Sequence, residues 1–153
     1  RDGSQDETPF QRAEIRIDDM GPKGSVSFGG LTIGWKRYPK KGSARTIVAN
    51  TEQFDADKVG HQSVVRHWGP GDVFQPIGMS REVKLQDLFT DLKVARARRR
   101  TLVVAEAGDG VIFWVEGLRI SERFKLDKAT KRRLKWTWRG LQAPAVAGSG
   151  LRW

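Results

Sequence analysis

The sequence predicts an α+β domain, strand-rich, with one or two short helices. Short runs of alternating apolar and polar residues recur along the chain, separated by glycine, proline and aspartate clusters. A single stretch, "REVKLQDLFTDLKV", changes to a helical period. Six Trp and seven Phe in 153 residues, with 38% hydrophobic content, supply enough apolar mass for a core.

The elements follow in order. Residues 1–12, broken by Pro9, read as a flexible tail or the end of an upstream helix. "AEIRI" alternates and predicts a strand. "SVSFGGLTIGWKRY" predicts two strands joined at Gly29-Gly30, a pair that tolerates the positive φ angles of a tight hairpin. "ARTIVANTE" reads as a strand, "FDADKVG" as a polar turn and "QSVVRHW" as another strand, so residues 13–65 form a β-rich lead-in.

The stretch "HWGPGDVFQPIGM" is rigid and poor in catalytic groups. Gly71, Pro76 and Gly78 are expected to fix turns and Trp68 and Phe74 to anchor them. Asp72 is expected to bond backbone rather than act as an acid. In the helix that follows, Val83, Leu85, Leu88, Phe89 and Leu92 share one face, and Ser80 suits the N-cap. "ARARRR" reads as a second helical turn or an extended basic arm. "TLVVAEAGDGVIFWVEG" predicts a hairpin around "GDG". "LRISERFKL" and the turn "DKATKRR" lead to the strand "LKWTWRG", whose Leu134, Trp136 and Trp138 share one face and suit the core. Residues 140–153 lack periodicity and read as a loose tail.

Composition excludes several function classes. With no cysteine there is no disulfide framework or thiolate metal site, and a reducing compartment, the cytoplasm, is expected. No apolar run is long enough to span a membrane. The start, "RDGSQDETPF", has neither an initiator Met nor a signal-peptide pattern, which suggests a piece of a longer protein. His61 and His67 flank a strand and read as ordinary side chains rather than a metal pair. "FGGLTIGWK" lacks the hydroxyl residue of a phosphate-binding loop, and Asp55 and Asp57 in "FDADK" suit a solvated turn better than a magnesium site. No nucleophile elbow or zinc-protease motif occurs, so the chain by itself is expected to be non-catalytic and without a cofactor.

Charge is the feature that points to a partner. Residues 1–92 hold 13 Lys/Arg and 13 Asp/Glu, whereas residues 93–153 hold 15 against 5, so the net +10 lies wholly in the second segment. "KVARARRR" carries five cations and no anion, and Arg119–Arg139 carries nine cations and two anions. A localised basic face is the footprint of a polyanion, since neutralised phosphates release condensed counterions. Phe124, Trp136 and Trp138 lie among these cations and suit either base stacking or the core.

Four segments in order then carry a resemblance: "FDADKVG", "PGDVFQPIGM", "KLQDLFTDLKV" and "WVEGLRISERFK". Together they resemble the C-terminal domain of bacterial tRNA(Ile)-lysidine synthetases, in the family's order and with near-family spacing. Pro70, Gly71, Asp72, Phe74, Pro76, Gly78 and Met79 match the first long motif, with Val73 where the family usually has Arg. Lys84, Leu85, Asp87, Phe89, Asp91 and Lys93 match the helix, and Arg119, Ile120, Glu122, Arg123, Phe124 and Lys125 match a closing strand pair. Ala95 and Thr101 replace frequent prolines, and Arg99 stands where an acidic residue is common.

The resemblance implies an α+β, β-sandwich-like fold that is similar to a module of the phenylalanyl-tRNA synthetase β-chain. It divides the chain into tail (1–12), lead-in (13–65), family domain (66–139) and tail (140–153). It implies a role in gripping the acceptor-stem end of an isoleucine tRNA with a CAU anticodon. A separate N-terminal domain of the parent enzyme would use ATP, magnesium and lysine to convert the wobble cytidine to lysidine. Lys84, Arg96, Arg99, Arg100, Arg119, Arg123, Lys125, Arg132 and Arg133 are then the expected phosphate-contacting set, with Phe74 or Trp68 as shape or stacking elements. Two other readings compete with it: a module that packs on the parent catalytic domain or forms a homodimer, and a free-standing basic RNA-binding domain.

Overall fold

Alternating apolar and polar side chains need a second layer to cover their apolar face, and here two antiparallel sheets cover each other. The computed structural model describes residues 13–39, 49–118 and 120–140. In chain order the elements are β1 (Glu14–Ile17), β2 (Lys23–Phe28), β3 (Leu31–Pro39), β4 (Thr51–Asp55), α1 (Ala56–Val59) and β5 (Ser63–His67). There follow β6 (Val73–Phe74), β7 (Val83–Lys84), α2 (Leu85–Asp91), α3 (Arg96–Arg99), β8 (Val103–Ala107), β9 (Ile112–Val115), a 3-10 turn (Glu122–Phe124) and β10 (Arg132–Gly140). An inner sheet has the order β9-β8-β5-β1, an outer sheet the order β2-β3-β10-β4, and β6 pairs with β7.

The main core lies between the sheets. Ile33, Trp35, Phe54, Leu134 and Trp136 of the outer sheet meet Val65, Val103, Ala105, Phe113 and Trp114 of the inner one. A second core lies on the far face of the inner sheet, where Val104, Ile112 and Val115 meet Phe74, Leu85, Phe89, Val94 and Leu102. The inner sheet is therefore the middle of three layers. This explains why β8 and β9 read as almost continuous apolar runs rather than alternating ones. In β9 the register shifts between Ile112 and Trp114, so the consecutive aromatics Phe113 and Trp114 both enter the main core.

Several expectations hold. Gly29 and Gly30 close the β2–β3 hairpin with φ of 57° and 82°, as a two-residue turn of this kind requires. Leu134 and Trp136 are fully buried and Trp138 packs beside them, so these aromatics belong to the core rather than to a stacking platform. "ARARRR" contains a short helix, α3.

Others need correction. Helix α2 begins at Leu85 with Lys84 as its N-cap, not at Ser80, because Val83–Lys84 is first used to pair with Val73–Phe74. Most of the strand expected in "ARTIVANTE", residues 44–48, lies outside the described part; Ala49 and Asn50 form a turn, Asn50 with a φ of 57°, and strand β4 follows from Thr51. "FDADKVG" is the end of β4 plus the helical turn α1, with Asp55 accepting from the N–H groups of Asp57 and Lys58. "SERF" forms a 3-10 turn capped by Ser121 rather than part of a strand pair. The expected boundary at residue 66 falls inside β5. Both sheets draw strands from either side of it, so residues 13–65 and 66–139 share their cores. Of the expected tails, 1–12 and all of 140–153 except Gly140, which ends β10, lie outside the described residues.

Candidate nucleic-acid interface

The rigid stretch 67–79 consists of two turns of one pattern. Asp72 N–H donates to Gly69 O (3.1 Å) around Pro70-Gly71, and Met79 N–H donates to Pro76 O (3.0 Å) around Ile77-Gly78. The third residues of these turns, Gly71 and Gly78, have φ of 95° and 90°, as a type II turn requires. Asp72 ties the first turn to the inner sheet. Its carboxylate accepts from Gly69 N–H (2.7 Å) and, with both oxygens, from the Arg66 guanidinium (2.9 and 3.0 Å). Arg66 also donates to Glu106 at 2.6 Å. Burial alone would lower the pKa of Arg66, but its hydrogen bonds to Asp72 and Glu106, aided by their charge, outweigh burial and raise it. Asp72 thus holds structure, as its sequence context suggests.

The second turn is stitched to the closing motif. Pro76 bridges to Ser121, Glu122 N–H donates to Gln75 O (2.8 Å), and Gly78 N–H donates to Glu122 Oε1 (2.8 Å). Two motifs that lie far apart in sequence therefore meet at one edge of the inner layer.

The basic arm grows from the end of α2. Lys93 takes a φ of 58°, with its N–H bonded to Thr90 O (3.0 Å) and the next N–H, of Val94, bonded to Phe89 O (2.9 Å). This is a Schellman stop with lysine where glycine is usual, and Val94 packs in the same core as Phe89. Val94 and Leu102 anchor both ends of the arm, so residues 95–101 project outward. Trp68 closes the arm from beneath, donating Nε1–H to Arg99 O (2.7 Å) and meeting Phe89 edge-on at 4.9 Å.

The expected phosphate-contacting residues do not share one status. Lys84, Arg96, Arg100 and Arg132 are exposed, with no anionic partner among the described residues. Arg123 and Lys125 reach solvent but face Glu82 (3.6 Å) and Glu122 (2.7 Å). Arg99 folds back, donating to Val94 O (2.9 Å) and Thr90 Oγ1 (3.4 Å), so it braces the arm. Arg133, 6% exposed, is a correction: it donates to Gln53 Oε1 (3.0 Å) within the outer sheet and does not face a ligand. Arg119 lies outside the described residues. Phe74, 2% exposed, and the bonded Trp68 are core and brace, not stacking elements.

Nor do the cations form one patch. Arg96 and Arg100 project beyond the second core, whereas β10 belongs to the outer sheet on the other side of the main core. Sequence reasoning missed Lys23 and Lys36, which lie beside Lys135 across the outer sheet. Cross-strand register is what brings them together, and no local signal marks it. Among the described residues no group of three or more His, Asp or Glu is arranged to hold a metal. Asp55 is 4% exposed and engaged in capping α1 and accepting from Thr130 (2.9 Å), so "FDADK" is structural. No described helix is long and apolar enough to cross a membrane.

The chain is similar to known proteins in sequence and in fold. The family model described as "TilS substrate C-terminal domain" matches residues 64–136. A tRNA(Ile)-lysidine synthase of Clostridium acetobutylicum is 42% identical over 86 residues, 56% of this chain and 18% of that protein. One of Symbiobacterium thermophilum is 33% identical over 110 residues, 72% of this chain and 23% of that protein. The chain thus spans about a fifth of the length of these curated relatives. A crystal structure of a TilS C-terminal domain superposes with a TM-score of 0.68 at 20% identity, covering 86% of this chain and all of that one, and shows the same fold. A fragment of the phenylalanyl-tRNA synthetase β-subunit from Pyrococcus horikoshii aligns at a TM-score of 0.48 and 17% identity over 60% of this chain and 28% of that one. Residues 64–136, just under half of the chain, match the model of the TilS substrate C-terminal domain, and the curated proteins to which the chain is similar are tRNA(Ile)-lysidine synthases.

Proposed function

We propose that this chain is the tRNA-recognition region of a tRNA(Ile)-lysidine synthase and holds the acceptor-stem end of its tRNA. The catalytic part of the parent protein would carry ATP, magnesium and lysine to the distant wobble cytidine, in the cytoplasm. This chain supplies grip and orientation. The observation that carries the reading is the arm between Val94 and Leu102, which is anchored at both ends and presents Arg96 and Arg100 to solvent with no anionic partner among the described residues. Fixed cations of this kind meet phosphates at little ordering cost, and phosphate contacts set affinity and register on an RNA.

The competing reading as a docking or dimerisation module draws less support. Only Val73 and Met79 are large hydrophobics exposed by more than a third among the described residues, and two side chains do not make an apolar interface core.

The test is binding of the chain to a minihelix of the isoleucine-tRNA acceptor stem across a salt series. Affinity is expected to fall as salt rises, and Arg96→Gln/Arg100→Gln is expected to reduce the salt slope by about 1.5. Salt-independent binding, or none at low salt, refutes the assignment.

A further inference from the structure

Among the described residues the outer sheet packs into the main core on one face, and its other face is open except around Asp55 and Arg133, which are buried. Its inward face supplies Ile33, Trp35, Leu134 and Trp136 to the main core. Its other face presents Lys23, Ser25 and Ser27 on β2, Thr32, Gly34 and Lys36 on β3, and Lys135, Thr137 and Arg139 on β10, all exposed or half-exposed.

Register aligns three of these cations. Lys23 lies opposite Lys36, and Lys36 lies opposite Lys135, so one row crosses three neighbouring strands. With strands about 4.8 Å apart, the outer two backbones of the row are about 10 Å from each other. Arg139 adds a fourth cation further along β10, opposite Thr32. Among the described residues of this sheet, the carboxylate at an outward position, Asp55 at the end of β4, is buried and engaged with α1 and Thr130.

Such a row is unfavourable for the fold itself, because like charges directly opposite one another repel. Edge protection explains a lysine on β2, which is the sheet's edge, but β3 and β10 are central strands. Solubility does not require it either. The adjacent rows, Ser25–Gly34–Thr137 and Ser27–Thr32, keep the same face polar without repulsion.

We propose that this face is a second RNA-contacting surface, on which the Lys23–Lys36–Lys135 row and its flanking hydroxyls take the sugar–phosphate backbone of double-stranded RNA. The inference rests on the RNA-binding reading above. Double-stranded RNA is favoured over unpaired bases because single-strand platforms need exposed aromatic rings, and here the tryptophans of the sheet point inward. The nearest aromatic on this face, Tyr38, is half-buried, with its hydroxyl donating to Gln53 Oε1 (3.2 Å). Serine and threonine hydroxyls suit phosphate and 2′-hydroxyl groups, which a duplex displays regardless of sequence.

The experiment compares binding of the whole chain to an RNA hairpin and to an unstructured RNA of equal length, across a salt series. Three variants are used: Lys23→Gln/Lys36→Gln/Lys135→Gln, the same three positions changed to Arg, and Arg96→Gln/Arg100→Gln. The Gln triple is expected to weaken hairpin binding about tenfold or more, to lower the salt slope by about two, and to melt no lower than the wild type. The Arg triple is expected to bind as the wild type does. If the Gln triple binds the hairpin with unchanged affinity and slope while the arm variant weakens, the surface is wrong and the RNA-binding reading survives. If the wild type binds neither RNA, that earlier reading fails. Equal loss on both RNAs overturns the duplex assignment, and failure of the Arg triple to retain affinity overturns the role of charge in this row.

Discussion

The inner and outer sheets are both four-stranded and antiparallel, yet among the described residues one is covered on both faces and the other on one face and a corner of the second, at Asp55 and Arg133. In the inner sheet a charged side chain needs its partner inside the protein, and Arg66 has one in each of Asp72 and Glu106. In the outer sheet, polar side chains on the open face are released from that requirement. Lys23, Lys36 and Lys135 stay exposed there, with no anionic partner among the described residues. Similar strands thus give opposite constraints: substitutions in the inner sheet act on stability, and those on the open face act on what the protein touches.

The largest expected effect breaks the core the two sheets share. Trp136 is fully buried, stacked 6.1 Å from Trp35 and edge-on 5.0 Å from Phe113. Trp136→Ala is expected to cost about 3–5 kcal/mol, seen as a large drop in the denaturant midpoint with little change in slope. A loss below about 1 kcal/mol would mean the sheets do not share this core.

A smaller effect isolates the polar network of the inner sheet. Asp72→Ala leaves Arg66 with one carboxylate and removes the acceptor for Gly69 N–H. The expected loss is about 2–3 kcal/mol, below the ~3–5 of a fully buried pair because the Arg66 and Asp72 side chains retain 14% and 17% exposure. Double-mutant cycles with Arg66→Met are expected to show strong coupling, and additivity would refute the network.

The smallest effect concerns the connection between the 3-10 turn and β10. The Lys125 ammonium and the Gly78 N–H hold the Glu122 carboxyl below its ordinary 4.5, and the Lys58 ammonium and the Ala129 N–H hold Asp127 below its ordinary 3.8. A carboxylate with a depressed pKa in the folded state contributes stability above its ordinary value and loses it as pH falls through the folded value. Thermal melts below about pH 4.5 are therefore expected to show a steeper loss in the wild type than in Glu122→Gln/Asp127→Asn. Parallel curves would show that these contacts contribute nothing.

Local features of the fold were legible in the sequence. The Gly29-Gly30 hairpin, the helix around Phe89 and the half-buried strand at Trp136 depend on residues a few positions apart. The misjudged features depend on distant partners. Arg133 sits at an outward position of an alternating strand and reads as exposed, but Tyr38 and Asp55 lie opposite it on β3 and β4 and Gln53 accepts its hydrogen bond. The lysine row was hidden because residues 1–92 are neutral as a whole, and only register joins Lys23 and Lys36 to Lys135. The arm was located by charge alone, while which arginines it spends on itself required coordinates.

The position of β10 also has a consequence for how the chain is made. Its residues, 132–140, lie between β3 and β4 and hydrogen-bond to both. During synthesis, β2 and β3 emerge as a finished hairpin and β4 soon after, but the latter two have no contact in the sheet until β10 arrives between them. Until then Trp35, Ile33 and Phe54 lack one wall of their core, so the nascent chain carries uncovered apolar surface while residues 56–131 are being added.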